Sequence, residues 1–251
     1  MDGRTALVTG GSRGIGRAIA LGLAEDGAAA VAITYRTDEE AAAETVAALQ
    51  ALGAEAHAYR ADGSVLADLD VASEAALADL GPVDVLVNNA GIASRGQTVV
   101  DTDPAEQERL LRVHALGPAR LCQHLVPAMR DRSRGDVIMI SSAATRYMAA
   151  NGSPYNMAKA AMEALAFTLA KEERRFGIHV NVVAPGLVDT EMGRRLVKAT
   201  AGVDDIHALA GSMPFGRVCA PEDVADVVRY LVSDRATYVT GEKLTVHGGG
   251  Q

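Results

Sequence analysis

The chain has 251 residues, of which 49% are hydrophobic, and its formal net charge is −8. This length fits one α/β domain, and the apolar fraction is sufficient for a sizeable core. The acidic balance argues against a nucleic-acid partner, and the lack of Trp, with only 4% aromatic residues, argues against base-stacking surfaces. Because no run of about eighteen apolar residues occurs, we expect no membrane span.

The first predicted element is a short apolar strand, Thr5–Val8, which leads directly into a glycine-rich turn and then a helix. Glycines let the backbone approach a pyrophosphate, and the helix N-terminus directs unpaired N–H groups at its charge. The spacing is Gly-x-x-x-Gly-x-Gly, not Gly-x-Gly-x-x-Gly, so a turn without a ligand stays open as an alternative. Since the strand starts so early, we expect no signal peptide. The candidate phosphate-binding residues are Gly10, Ser12, Arg13, Gly14, Ile15 and Gly16.

Strands and helices alternate along the rest of the chain. This alternation predicts a single Rossmann-type doubly wound domain over 1–251, with about seven parallel strands and helices on both faces. Ligands then bind at the C-terminal ends of the strands. Asp103 followed by Pro104 predicts a capped helix that runs towards Leu116. The later predicted strands are 31–35, 54–59, 83–87, 137–140, 178–183 and 243–246, and the early predicted helices are 38–52 and one that continues through 77–80.

The end of the second strand bears on the choice of cofactor. NAD-binding proteins of this fold place an Asp or Glu there to bind the ribose 2′-hydroxyl. This chain has Thr34-Tyr35-Arg36-Thr37 instead, and Arg36, with Arg13 from the glycine turn, would bind a 2′-phosphate. Asp38 would be the missing acid if the register were shifted, although it suits a helix cap better. The segment favours NADP(H) over NAD(H).

A second motif points to proton transfer at an oxygen atom. Tyr155 and Lys159 follow Pro154, and Ser142 follows the apolar run 137–140. If Pro154 opens a helix, the i,i+4 pair lies on one face. We expect the ammonium to lower the pKa of the phenol by about 3 units, or roughly 4 kcal/mol. Tyr155 is then the general acid/base, Lys159 its electrostatic partner and Ser142 a donor to the substrate oxygen, although Tyr-x-x-x-Lys also occurs on exposed helices without function.

These motifs, together with Asn88-Asn89-Ala90-Gly91, resemble the short-chain dehydrogenase/reductase family, and in particular its 3-oxoacyl-(acyl-carrier-protein) reductases. The resemblance covers the whole chain, including Val239-Thr240-Gly241 and the Gly248-Gly249-Gly250 tail around the last strand. It implies that Asp62 contacts the adenine ring, that Asn89, Ala90 and Gly91 line the nicotinamide side, and that Pro185, Gly186, Val188 and Thr190 belong to the loop at the carboxamide end of the cofactor.

One segment departs from the family pattern. Where the family carries Asn-x-x-Gly, with an asparagine that supports a water in the proton relay from the lysine, this chain has His114-Ala115-Leu116-Gly117. Histidine donates and accepts hydrogen bonds and titrates near neutral pH. Two interpretations stay open: His114 takes over the relay as a catalytic residue and adds pH sensitivity, or it is a packed replacement.

The motifs predict an NADP(H)-dependent enzyme that reduces a ketone to an alcohol, or the reverse, with a 3-oxoacyl thioester as one candidate substrate. Alternatives are an NAD-dependent alcohol, sugar or steroid dehydrogenase, and a nucleotide-sensing protein without activity. Enoyl reduction is disfavoured, because relatives that perform it space the lysine farther from the tyrosine. Segment 187–215, rich in Met and Leu, predicts a lid over an apolar small-molecule substrate.

The remaining expectations concern surroundings and assembly. The two cysteines, Cys122 and Cys219, are expected to be free thiols in a cytoplasmic protein, and no metal site is predicted. By resemblance to the family, we expect a homotetramer or homodimer that pairs through the face formed by Ala158, Ala161, Ala164 and Leu165.

Overall fold

A computed structural model of the protein describes residues 1 and 3–249. Its strands form one sheet in the order β3-β2-β1-β4-β5-β6-β7, and all neighbouring strands run parallel. The predicted doubly wound α/β fold is therefore confirmed. Gly250 of the predicted tail lies outside the described residues. The strands are β1 (Thr5–Val8), β2 (Ala30–Tyr35), β3 (Glu55–Arg60), β4 (Val85–Asn88), β5 (Gly135–Ile140), β6 (Ile178–Pro185) and β7 (Lys243–Val246).

Helices connect the strands, and their starts follow the capping residues of the sequence. Asp38 accepts a hydrogen bond from the Ala41 amide, which confirms it as a helix cap and not a late part of β2. Asp103 caps the helix that Pro104 opens, and Pro154 lies in the first turn of the longest helix. The helices are α1 (Gly14–Glu25), α2 (Glu39–Ala51), α3 (Leu66–Leu80), α4 (Pro104–Leu111), α5 (Gly117–Met129), α6 (Ala144–Tyr147), α7 (Ser153–Glu173), α8 (Glu191–Ala201) and α9 (Pro221–Val232).

Shorter turns of helix complete the architecture. A π-helical turn, Arg112–Leu116, separates α4 from α5, so the helix predicted to run to Leu116 is interrupted at His114. Such turns are often found at functional sites. The described 3₁₀ turns are Arg174–Phe176, Ile206–Ser212, Pro214–Gly216 and Asp234–Ala236.

Two apolar cores cover the two faces of the sheet. Along β1, Val8 packs in one core with α1 and α9, whereas its neighbour Leu7 packs in the other core with α5 and α7. Successive side chains of a strand point to opposite faces, so a strand covered on both sides must be apolar throughout. This explains why β1 and β4 carry uninterrupted buried runs.

The strand order determines where a ligand site forms. β1 pairs with β2 on one side and with β4 on the other, so the crossover direction changes between β1 and β4. Ligands of open α/β sheets bind at the carboxyl ends of the strands at such a point. The glycine turn after β1 and the segment after β4 meet there, next to the ends of β5 and β6.

The burial of individual side chains bears on the predicted pairing face and on the two cysteines. Ala158 is fully buried against its own chain, which removes it from the predicted pairing face, whereas Ala164 is exposed. Cys122 and Cys219 are both free cysteines, the first buried and the second partly buried. Within residues 1 and 3–249, no helix has the length and apolar character needed to cross a membrane.

Candidate active site

The glycine turn is shaped by close backbone contacts. Gly10 and Gly14 have positive φ angles of 64° and 55°, a region that favours glycine. A Cβ at Gly16 would overlap the carbonyl of Gly10 and the side-chain amide of Asn89, so no larger residue fits without a shift. The turn therefore packs closely against the start of α1. The N-cap residue of α1, Arg13, makes no side-chain hydrogen bond to the helix, so the first N–H groups of α1 remain free for a ligand.

Residues after β4 hold this turn in place. The Asn89 side-chain amide donates to the carbonyls of Thr9 and Gly10, at 2.9 and 3.2 Å. The Thr9 hydroxyl accepts from the backbone amides of Asn89 and Ala90, each at 2.9 Å. Asn89 and Ala90 thus act as a brace for the turn, while Gly91 lies against the ring of His114.

A cavity of about 510 Å³ opens at the ends of β2 and β3. Arg36 and Arg60 line it from the strand ends, Asp62 lines it from the following loop, and Asp68 lines it from the first turn of α3. Burial raises the pKa of Asp62, but hydrogen bonds from the Ser64 hydroxyl and amide outweigh this and hold the pKa below its usual value. The predicted residues Arg36 and Asp62 therefore share one cavity, with arginine at the position where an acid would accept a ribose hydroxyl.

Arg13, in the glycine turn, contacts the start of α8 and the cap of α2. Its guanidinium is 2.7 Å from Glu191 at the start of α8 and 3.7 Å from Asp38. Its side chain is 56% exposed, so it is free to exchange these partners for a ligand anion.

The loop after β6 covers the glycine turn from the other side. Pro185 ends β6, and the Gly186 amide donates to Val246 at 2.9 Å. Val188 is buried, and Thr190 caps α8 by accepting from the Gly193 amide at 3.1 Å. A Cβ at Gly14 would lie 3.2 Å from the Thr190 methyl carbon, so this loop and the glycine turn are in contact. The remaining turn residues, Ser12 and Ile15, are buried and partly buried.

The catalytic candidates meet between β5 and α7. Ser142 follows β5, and its hydroxyl accepts from the Ala144 amide at 3.1 Å while hydrogen bonding to Tyr155. The Lys159 ammonium donates to the Ile140 carbonyl at 2.6 Å and lies 5.8 Å from the centre of the Tyr155 ring. The predicted trio of Ser142, Tyr155 and Lys159 is therefore brought together at the carboxyl edge of the sheet.

The protonation states differ from the sequence-based expectation. Burial raises the pKa of Tyr155, and the hydrogen bond from Ser142 only partly opposes it, so the prediction that Lys159 lowers this pKa is wrong for the structure. Burial of the phenol outweighs the ammonium of Lys159, which donates to the Ile140 carbonyl and lies 5.8 Å from the centre of the ring. Burial also lowers the pKa of Lys159 to about 7, against the attraction of Glu163.

His114 lies directly beside the trio. Its ring meets the Tyr155 ring edge-on with centroids 5.3 Å apart, and Nε2 is 2.9 Å from the Ile92 carbonyl. Burial lowers the pKa of His114 well below its usual range, and the charge of Lys159 adds to this effect. The imidazole is therefore neutral near pH 7, so its own titration supplies no pH sensitivity there. Within the described chain, its buried Nδ1 has no hydrogen-bond partner.

Residues 10–251 match the family model described as "Enoyl-(Acyl carrier protein) reductase". The chain belongs to the short-chain dehydrogenase/reductase family. It is thus an oxidoreductase of this family, in which similar proteins act on alcohol and ketone groups. Membership disfavours the alternative of a nucleotide-sensing protein without activity.

Individual family members span several substrate types. The chain is 36% identical to the 3-oxoacyl-[acyl-carrier-protein] reductase FabG of Escherichia coli (strain K12), over 99% of this chain and 97% of that one. L-Sorbose reductase from Gluconobacter frateurii, complexed with NADPH and L-sorbose, matches with a TM-score of 0.90 and 30% identity, over 99% and 97% of the two chains. A 7α-hydroxysteroid dehydrogenase complexed with NADH and 7-oxo glycochenodeoxycholic acid matches with a TM-score of 0.89 and 31% identity, over 99% and 94%.

The residues present fit a nicotinamide dinucleotide. The absence of a Cβ at Gly16 lets the turn close against Asn89, and the N-terminus of α1 presents free N–H groups there. Arg36, Arg60 and Asp62 line a separate cavity at the ends of β2 and β3. Positive φ angles at Gly10 and Gly14 keep the turn tight. No group of three or more His, Cys, Asp or Glu side chains in residues 1 and 3–249 has the arrangement of a metal site.

Sequence reasoning missed two charged residues next to the site. Glu163 lies one helical turn after Lys159 and contacts residues on both sides of Ser142, and Lys243 of β7 pairs with it at 2.8 Å. The i,i+4 spacing from Lys159 was a signal for Glu163. Nothing local in the sequence marks Lys243, because its position beside Glu163 depends on the pairing of β7 with β6.

Proposed function

We propose that the protein is an NADP(H)-dependent carbonyl reductase or alcohol dehydrogenase that interconverts a ketone and a secondary alcohol. The observation that carries this proposal is the contact of Ser142, Tyr155 and Lys159 at the sheet edge that also carries the glycine turn. When bound, the nicotinamide supplies or accepts the hydride.

The protein's own residues handle the oxygen and its proton. Ser142 donates a hydrogen bond to the substrate oxygen, and Tyr155 gives its phenolic proton to that oxygen in the direction of reduction. The ammonium of Lys159, 5.8 Å from the centre of the Tyr155 ring, offsets part of the cost of burying the phenolate left behind. His114 holds the Ile92 segment through Nε2, and we infer that it replaces the asparagine of the family in that position.

The cofactor subsites follow the same surface. The proposal assigns the pyrophosphate to Gly10, Ser12, Gly14, Ile15 and Gly16, with the adenine beside Asp62. The nicotinamide end is assigned to residues that follow β4 and β6. These are Asn89, Ala90, Gly91, Pro185, Gly186, Val188 and Thr190.

Two arginines support a preference for NADP(H). Arg36 lines the cavity at the end of β2, and Arg13 exchanges Glu191 for the 2′-phosphate. The relative complexed with NADPH supports this choice, whereas the relative complexed with NADH keeps an NAD-dependent sugar or steroid dehydrogenase as the alternative.

Segment 187–215 supports an apolar substrate. Met192 and Leu196 are 42% and 50% exposed on α8, although both are apolar. We infer that this segment is a lid within a single-domain protein, with a 3-oxoacyl thioester as the first substrate to test. Pairing into dimers or tetramers, and a cytoplasmic location, stay predictions.

The cofactor part is tested by steady-state kinetics with NADPH and NADH. Arg36→Ala should raise the KM for NADPH by about 10- to 100-fold, because a charge-assisted contact worth about 1.5–3 kcal/mol is lost, and leave the KM for NADH within about twofold. Arg235→Ala, at an exposed position in the last 3₁₀ turn, is the matched control. Equal loss for both cofactors, or a wild-type preference for NADH, would contradict the proposal.

A further inference from the structure

The catalytic helix is attached to the end of β5 through residues one turn apart. Tyr155, Lys159 and Glu163 follow each other at i, i+4 and i+8 on α7. The Lys159 ammonium donates to the Ile140 carbonyl at 2.6 Å, and the Ser141 hydroxyl donates to Glu163 Oε1 at 2.5 Å. Two consecutive residues directly before Ser142 are therefore bound to α7.

The Glu163 carboxylate also contacts Thr145, which follows Ser142 in the chain. The Thr145 hydroxyl is 2.7 Å from Glu163 Oε1 and 2.8 Å from the carbonyl of Ser142. It has one proton and so donates to one of these oxygens at a time. Glu163 thus contacts the chain on both sides of Ser142, and these contacts limit how far its hydroxyl moves relative to Tyr155.

Lys243, the first residue of β7, forms an ion pair with the Glu163 carboxylate. The Lys243 ammonium donates to Glu163 Oε2 at 2.9 Å and to the Thr145 hydroxyl at 2.5 Å. The side chains of Glu163 and Lys243 are only 12% and 23% exposed. The Lys243 ammonium and the hydrogen bonds from Ser141 and Thr145 offset the hydration that the Glu163 carboxylate loses on burial.

Lys159 has few charged neighbours. Tyr155 and Glu163 face it from its own helix, His114 faces it from the π-helical turn, and Lys243 lies behind Glu163. Burial lowers the pKa of Lys159 to about 7, and the negative charge of Glu163 opposes this fall. With His114 neutral, Glu163 is the anion that favours the charged form of Lys159.

We propose that Glu163 is a positioning residue for the reaction: it fixes the segment that carries Ser142 and places a negative charge beside Lys159. The inference rests on the roles proposed above for Ser142, Tyr155 and Lys159. Glu163 acts through these residues and has no contact with the reacting atoms.

The test is the pH dependence of kcat in Glu163→Gln, with NADPH and a reducible ketone at saturation. Glutamine keeps the size of the side chain and one acceptor oxygen but removes the charge. The pKa of Lys159 then falls further, so the loss of reductase activity with rising pH should occur at a pH lower by about one unit. At pH 7.5, kcat should fall by about 10-fold, while the KM for NADPH changes by less than about twofold.

Two further variants separate charge from attachment. Ser141→Ala removes one hydrogen bond to Glu163 but keeps its charge, so kcat should fall by a few-fold, about the effect of one lost hydrogen bond, with an unchanged pH midpoint. Glu172→Gln makes the same chemical change at an exposed position of α7 and should leave both quantities as in the wild type.

The outcomes are distinguishable. A Glu163→Gln enzyme with the wild-type pH midpoint overturns the inference, and so does a loss of kcat that merely follows a lower Tm. If Tyr155→Phe retains full activity in the same assay, the proposed roles at the site fail, which is a separate result from failure at Glu163.

Discussion

The carboxyl edge of the sheet and the segment 187–215 differ in how tightly their residues are held. At the edge, the glycine turn is braced by Asn89, and Lys159 is only 3% exposed with its ammonium fully directed at a backbone carbonyl. Segment 187–215 carries short helices over a small cluster of Val197, Ile206 and Val218. Phe215 on it is 87% exposed.

This difference in packing explains why the reaction type is easier to infer from the sequence than the substrate is. The chemistry depends on residues that the backbone geometry leaves little freedom to vary, so the reaction type can be inferred from the motifs. The choice of substrate depends on side chains that extend from a loosely packed segment, where many apolar residues would serve equally well. Substitutions should therefore change activity or the free energy of unfolding strongly at the sheet edge and weakly in the segment.

The largest contrast is expected between two glycines. Gly16→Ala introduces a Cβ that overlaps the Gly10 carbonyl, so it should destabilise the protein by about 1–3 kcal/mol and weaken NADPH binding by at least about 10-fold. Gly211→Ala, in segment 187–215, has no atom within 4 Å of the new Cβ and is the matched control. Urea unfolding and NADPH fluorescence titration measure both effects, and similar results for the two variants would contradict the comparison.

The next effect concerns the buried ammonium. The pKa of Lys159 falls to about 7 on folding, from about 10.4 in the unfolded chain, so the unfolded state binds more protons between these values and stability rises with pH there. Lys159→Met should therefore stabilise the inactive protein at pH 6 by roughly 2–4 kcal/mol, with a smaller gain at pH 9.

Urea unfolding at both pH values tests this expectation. Lys171→Met, at an exposed position of the same helix, should show no such pH-dependent gain. Two results would show that burial of the ammonium does not destabilise the protein. One is a Lys159→Met variant less stable than the wild type at pH 6, and the other is a gain in the free energy of unfolding that grows with pH.

The fold was largely predictable because its signals are local. Strand runs such as 137–140, the Asp103 cap and the glycine turn each reflect a backbone requirement that a single sequence records. The pKa of Tyr155 was not predictable, because its direction depends on burial and on where the Lys159 ammonium points. The pairing of Lys243 with Glu163 was equally hidden, since sheet pairing brings these distant residues together.

The smallest effect is expected in the lid. Met192→Ala removes an apolar side chain that is 42% exposed, so the free energy of unfolding should change by less than about 0.5 kcal/mol. The KM for an apolar ketone should rise by a few-fold, about the value of a half-buried apolar side chain, while kcat stays within about twofold. A large loss of kcat would indicate that α8 carries a residue of the chemistry.

The most direct test of the central claim is NADPH oxidation with a panel of ketones, led by a 3-oxoacyl thioester, for wild type and Tyr155→Phe. The phenylalanine ring keeps the packing against His114 and removes only the proton donor. We predict turnover by the wild type and a loss of about 10²–10⁴-fold in kcat for the variant, at an unchanged Tm. Comparable turnover by both proteins would contradict the account.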